Sequence, residues 1–157
     1  MKLAAWGIIK RGTGIWLAEK KAGEEIGHGV ITGPGGKVLP PETPAECLLR
    51  ETEEEWEVKL DPHSLEEVAV IDYYASGVLN MRVHNFSARI LSGTPHETKR
   101  FKAPQLYGLD ALPFDQMFEG DRHWLPKAAN GIKFRAKVYY RERAKGFLRI
   151  EFYQYGT

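Results

Sequence analysis

The 157-residue sequence predicts a mixed α/β (α+β) fold, a mixed β-sheet with helices packed against it. Three observations carry that expectation. Short β-favouring segments outnumber helical ones, a long amphipathic helix lies between strands, and a shorter helix precedes a closing pair of strands. The length suits one domain spanning residues 1–157, and a composition of 43% hydrophobic and 27% charged residues excludes a disordered or fibrous chain.

Residues 3–9 and 15–19 are apolar and β-favouring, and the polar, glycine-containing stretch between them reads as a turn joining two strands. Residues 23–36 carry six glycines and Pro34, a density that favours an irregular, ligand-holding loop. Pro40, Pro41 and Pro44 lead into the clearest helix, because proline is tolerated at a helix start and not within it. Thr43 is the expected N-cap, with Glu46 completing a capping box. Ala45, Leu49, Thr52 and Trp56 then fall at helical spacing, so that side is expected to face the core as the helix runs to about Glu57. Strands are expected over residues 66–74, 81–90 and 102–107. A short helix over 121–129, closed by Asn130 and Gly131, is followed by a hairpin of residues 134–140 and 147–155.

Charge narrows the choice of partner. With 22 basic and 21 acidic side chains, a net charge of +1 gives no global field to draw the chain onto a nucleic acid polymer or a membrane, so any polyanion must be held locally. No apolar run approaches the roughly 20 residues of a bilayer span, and the stretch after Lys2 lacks a secretory apolar region, so a cytoplasmic protein is expected. The single cysteine, Cys47, cannot form an internal disulfide and reads as a helix residue. His28, His63, His84, His96 and His123 show no metal-ligand spacing.

The helix after Thr43 is unusually acidic, with Glu46, Glu51, Glu53, Glu54, Glu55 and Glu57 set against one internal base, Arg50. Glu51, Glu54 and Glu55 stand at i, i+3 and i+4 and share a face away from Leu49 and Trp56. Like charges at those spacings repel, and a bound cation would reverse the sign. A hard divalent ion such as Mg²⁺ or Mn²⁺ prefers such oxygen ligands. An acidic helix face is also, commonly, plain solvated surface, and the charge pattern alone leaves both readings open.

From Gly36 the chain reads Gly-x5-Glu42-x7-Arg50-Glu51-Thr52-x-Glu54-Glu55-x-Glu57-Val58, which resembles the Nudix box G-x5-E-x7-R-E-U-x-E-E-x-G-U, where U is a bulky aliphatic residue. Gly36, Glu42, Arg50, Glu51, Glu54, Glu55 and Val58 match in register over 23 residues. Thr52 replaces an aliphatic residue, and Glu57 replaces the glycine that ends the helix, where a left-handed backbone costs glutamate more than glycine. The resemblance implies an α/β/α sandwich around a mixed sheet. It implies that Glu51, Glu54 and Glu55 bind the metal and serve catalysis, that the Gly36 carbonyl adds a ligand, and that Glu42 and Arg50 form an ion pair holding loop to helix.

Beyond the box the chain is similar to the 8-oxo-purine nucleoside triphosphatases of the MutT-like branch. Gly33-Pro34-Gly35-Gly36-Lys37 resembles the loop leading into their box, and the segment from Leu112 to Asp121, with Trp124 and Pro126, resembles the one that forms their purine pocket. By that resemblance Thr32, Gly35, Lys37, Phe118 and Asp121 would bind substrate. Phe118 stands at the place of a base-stacking tryptophan and Asp121 at that of one of two purine-reading aspartates, the other being Gly120. Phe118 and Trp124 read equally as packing residues, and Asp121 equally as a helix N-cap. A further catalytic glutamate is not evident. Glu97 is near its expected position, and Lys99, Arg100 and Lys102 surround it, either as a solvated turn or as a phosphate-holding one. The function so implied is Mg²⁺- or Mn²⁺-dependent hydrolysis of a nucleoside triphosphate to monophosphate and pyrophosphate. Nucleotide sugars and dinucleoside polyphosphates are the alternative substrates, and a non-catalytic nucleotide-binding module is the alternative function.

Overall fold

The computed structural model describes residues 1–21 and 29–156. Residues 22–28, with His28 and the first part of the expected glycine-rich loop, lie outside the described residues. A mixed sheet runs in the order β11, β10, β6, β7, β1, β2, β3, with β4 pairing β1 and β9 pairing β2. In chain order these strands are β1 (Lys2–Arg11), β2 (Gly14–Glu19), β3 (Ile31–Thr32), β4 (Gly35–Lys37), β6 (Glu66–Ala75), β7 (Val78–Ala88), β9 (Gln105–Gly108), β10 (Phe134–Glu142) and β11 (Lys145–Tyr153). A separate two-stranded ladder joins β5 (Lys59–Leu60) to β8 (Ile90–Ser92). Two helices, α1 (Pro44–Trp56) and α2 (Asp121–Ala129), complete the elements that position the site.

β1 organises the sheet. One of its edges runs parallel to β7 from Lys2 to Ile9, and the other pairs antiparallel with β4 along Ala4 to Trp6 and with β2 along Ile9 to Arg11. Successive strand residues point to opposite faces, so Ile8 and Ile9, both fully buried, enter different cores. Ile8 joins Ile15, Val68, Ile71, Val138 and the α2 residues Trp124 and Leu125. Ile9 joins Ala5, Phe86, Phe101 and the α1 residues Cys47, Leu48 and Trp56. The result is the expected α/β/α sandwich around a mixed sheet. Among the described residues no helix is long and apolar enough to cross a membrane.

Two sequence expectations need correction. The glycine-rich segment is not irregular throughout, because Gly35–Lys37 forms β4 against β1 and Ile31–Thr32 forms β3 against β2. Backbone pairing needs no side chain, and its donors and acceptors are met by strands that glycine lets come close. The buried side of α1 is also rotated from the expected stripe. Cys47, Leu48, Thr52, Glu55 and Trp56 are buried, whereas Ala45 and Leu49 are only partly covered. Glu55 joins this side although it is charged, because its carboxylate has a backbone partner that permits burial.

Both termini of α1 follow local rules. Thr43 caps the start, its hydroxyl accepting from the Glu46 N–H at 3.1 Å while the Glu46 carboxylate accepts from the Thr43 N–H at 2.8 Å. Thr52 is fully buried, with its hydroxyl donating to the Leu48 carbonyl at 2.7 Å, so the polar atom is satisfied inside the core. At the end, Glu57 takes the left-handed conformation itself, φ 57° and ψ 33°, and its N–H donates to the Glu53 carbonyl. Its side chain meets His96 at 3.0 Å on an exposed surface. Relief of the left-handed strain, on the order of 1 kcal/mol, outweighs an exposed pair of this kind. Glu57→Gly is therefore expected to raise the melting temperature by about 2–4 °C, measured by thermal denaturation.

Candidate active site

The carboxylate helix and the glycine strand meet across a gap that excludes side chains. A Cβ on Gly36 would lie 2.6 Å from Glu51 Cδ, so only glycine leaves room for that carboxyl group. One residue earlier, the Gly35 N–H donates to Glu55 Oε1 at 2.9 Å. Arg50 ties the assembly to the loop. Its guanidinium forks onto Glu42 at 2.7 and 3.0 Å, donates to the Lys37 carbonyl at 3.2 Å, and reaches Glu51 at 2.8 Å and Glu54 at 3.2 Å. Hydrogen bonding to Arg50 holds the Glu42 carboxyl at about 2, well below its usual value.

Burial acts in the opposite direction on the cleft acids. Glu55, 4% exposed, is pushed up to about 7, chiefly because it is desolvated, and the neighbouring Glu51 charge pushes the same way. Glu51 is also raised, again mainly by burial, against the pull of Arg50. Glu51 and Glu55 line a cavity of about 430 Å³ together with Gly35, Gly36, Lys37, Lys20 and Arg100. Glu54 does not line it and is held by Arg50. Among the described residues no three carboxylate, histidine or cysteine side chains stand close enough to hold a metal ion unaided. The donor set nonetheless suits a hard cation. Mg²⁺ is commonly held by one or two carboxylates plus substrate phosphates, and two desolvated, mutually repelling carboxylates beside a backbone strand supply that share.

The cavity continues into a second, more apolar one of about 130 Å³. Trp6, Thr32, Met81, Val83, Phe118 and Arg143 line both. Thr32 is buried, and its hydroxyl accepts from the Trp6 indole N–H at 2.9 Å. Phe118 is half-buried and outside both hydrophobic cores, whereas Trp124 packs within one of them. Phe118 thus faces both cavities from outside the cores, whereas Trp124 lines the apolar cavity from within a core. Asp121 is the first residue of α2 rather than its cap, which is Gly120, and it lies 5% exposed in the apolar cavity wall. Desolvation raises its carboxyl to about 7, opposed only in part by the Trp124 indole and the Phe118 backbone. Among the described residues none meets the buried Trp124 Nε1 at regular hydrogen-bonding geometry, although the indole is near enough to draw the Asp121 carboxyl down.

The members of the basic turn after the central strands part company in the structure. Arg100 lines the carboxylate cavity, Lys102 pairs with Glu19 at 2.9 Å, and Glu97 pairs with Lys21 at 2.6 Å on the surface. Lys20 lines the carboxylate cavity and the buried Asn85 lines the apolar one, and neither carries a motif by which sequence could mark it.

The NUDIX domain family matches residues 1–128. The chain is 36% identical over 121 residues to the mouse oxidized purine nucleoside triphosphate hydrolase, covering 76% of this chain and 74% of that protein. It is 34% identical over 113 residues to the zebrafish protein of the same name, covering 71% and 69%. Among solved structures, a MutT protein from Bacillus halodurans superimposes with a TM-score of 0.69 at 17% identity, covering 97% of each chain. A MutT NUDIX hydrolase from Burkholderia pseudomallei gives 0.66 at 26% identity, covering 84% of this chain and 98% of that one.

Two outcomes follow from this geometry. Gly36→Ala places its methyl against the movable end of Glu51 rather than against backbone, so activity is expected to fall by about tenfold or more with little change in melting temperature. Asp121 ionises near 3.8 in an unfolded chain and near 7 in the folded one. Folding therefore takes up a proton between those values, and its stabilising share is complete below about 4 and lost as the pH rises through about 7. Asp121→Asn should flatten that decline, read as melting temperature against pH; an unchanged slope would rule out the buried acid as its source.

Proposed function

The chain belongs to the NUDIX family and is a MutT-like pyrophosphohydrolase, and from that premise we propose that it hydrolyses an oxidised purine nucleoside triphosphate, of the 8-oxo-dGTP class, to the monophosphate and pyrophosphate. The observation that carries this reading is the continuity of the two cavities. An apolar compartment with an aromatic wall and a buried acid opens directly into one lined by carboxylates, glycine backbone and cations. A base suits the first and a phosphate chain the second.

In this reading Phe118 stacks on the base. Asp121, held near neutrality by burial, donates or accepts a hydrogen bond at the base edge, and Thr32 fixes the Trp6 indole that shares the same wall. Gly35 and Lys37 border the phosphates. Glu51 and Glu55, with Glu54 and the Gly36 carbonyl as further ligands, would hold Mg²⁺ or Mn²⁺, which when bound neutralises phosphate charge and lowers the pKa of a coordinated water. Arg50 orients Glu51, and the Gly35 N–H holds Glu55 Oε1 and leaves Oε2 for the reaction side. The whole chain, residues 1–157, acts as one domain.

The test is purified protein with Mg²⁺ or Mn²⁺, assayed on nucleoside triphosphates including 8-oxo-dGTP, on nucleotide sugars and on dinucleoside polyphosphates. Monophosphate plus pyrophosphate from an oxidised purine triphosphate is the expected product pair. A sugar phosphate would move the substrate class, and tight binding without product would remove the enzymatic reading. Chelation should abolish turnover. Glu54→Gln and Glu55→Gln should each lower it by about 100-fold with the fold retained, since burial already disfavours the Glu55 charge. Wild-type rates in both variants would remove the site assignment.

A further inference from the structure

The turn over residues 98–101 is built into α1 rather than draped across it. Thr98 Oγ1 donates to the Glu55 carbonyl at 2.6 Å and accepts from the Phe101 N–H at 3.3 Å. Phe101 is buried, its ring edge-on to Trp56 at 6.1 Å. On the other side the Arg100 carbonyl accepts from the Lys21 N–H at 2.9 Å, Lys20 bridges Phe101, and the Lys21 ammonium donates to the Thr98 carbonyl at 2.7 Å. The backbone is thus anchored at Thr98, at the Arg100 carbonyl and at Phe101, while the Arg100 side chain is exposed at the cavity that Glu51 and Glu55 line. Among the described residues no carboxylate lies within ion-pair distance of that guanidinium, although Glu51 and Glu55 are near enough to feel its charge.

Two cleft carboxylates repel a phosphate chain, so a fixed cation beside them answers a definite electrostatic need. A guanidinium stays charged at every working pH and presents a planar fork that matches phosphate oxygens. Arg100 and Lys20 line only the carboxylate cavity and not the one that holds Asp121, which puts them at the phosphate end. On the reading of this cleft as a nucleotide site, we infer that Arg100, with Lys20 beside it, grips the distal phosphates of the substrate and makes the cleft select triphosphates over diphosphates. A diphosphate lodged by its base in the apolar cavity is one phosphoryl group shorter and engages this cation less.

The experiment compares kcat and KM for dGTP and dGDP, and for their 8-oxo counterparts, in the wild type, Arg100→Ala and Arg100→Lys. The alanine variant is expected to raise the triphosphate KM by about tenfold or more, with diphosphate KM within about threefold, so that discrimination between them collapses. Lysine should restore part of the difference. Melting temperature should not move, since the side chain is exposed. Equal losses on both substrates, or an unchanged triphosphate KM, would overturn the role of Arg100 and leave the nucleotide reading standing. A wild type that neither binds nor cleaves any of these nucleotides would bring down that reading first, and this inference with it.

Discussion

Glu51 and Glu55 can face the cleft only because the backbone of Gly35 and Gly36 lies directly beneath them. The space that a Cβ would occupy at Gly36 is filled by the Glu51 carboxyl group, and the Gly35 N–H is the partner that lets Glu55 be buried. A carboxylate without such a donor would cost several kcal/mol to withdraw from water. β4 is held in turn by β1, which also pairs with β2 and β7, so the acid cluster is referred to an interior strand of the sheet. Arg50 closes the arrangement by joining the loop at Glu42 and Lys37 to the helix at Glu51 and Glu54.

The two compartments share a principle and differ in its use. Glu55 and Asp121 are both acids raised to about 7 by desolvation. Glu55 lies among charges, with Glu51 pushing its carboxyl up and Lys20 and Arg100 pulling it down, so its ionisation follows whatever charge enters the cavity. Asp121 shares an apolar wall with Tyr73, Tyr140 and Trp124, where burial sets its state and the Trp124 indole and the Phe118 backbone oppose it only in part. One fold therefore buries one carboxyl among charges in the larger cavity and another among aromatic rings in the apolar one.

The elements that join these compartments come from distant parts of the chain. Trp6 is on β1, Thr32 on β3, Met81 and Val83 on β7, and Phe118 precedes α2. The turn bearing Arg100 reaches α1 through Thr98 and Phe101, a contact across 43 residues in the case of Thr98 and Glu55. The cleft is thus a property of packing order and belongs to no single segment.

Patterns along the linear chain are legible without any tertiary contact: the helix capped at Thr43 and running to about Glu57, its acidic face, the short β-favouring runs, and the box spacing from Gly36 to Val58 that announces the family. Each of these is a pattern of residue types along one contiguous stretch of chain. Tertiary structure decided the rest. Spacing placed Glu51, Glu54 and Glu55 on one face, but only the position of β4 buried Glu55 and left Glu54 to Arg50. The glycine-rich segment read as loop because its strands are specified by the edge of β1 rather than by side chains of their own. Phe118 and Trp124 were indistinguishable as aromatic residues until α2 packed one into the core, and Lys99, Arg100 and Lys102 were one basic run until Thr98 and Phe101 turned Arg100 alone toward the cavity. Charge and burial are set by neighbours brought from afar, and a linear pattern carries no record of which neighbours arrive.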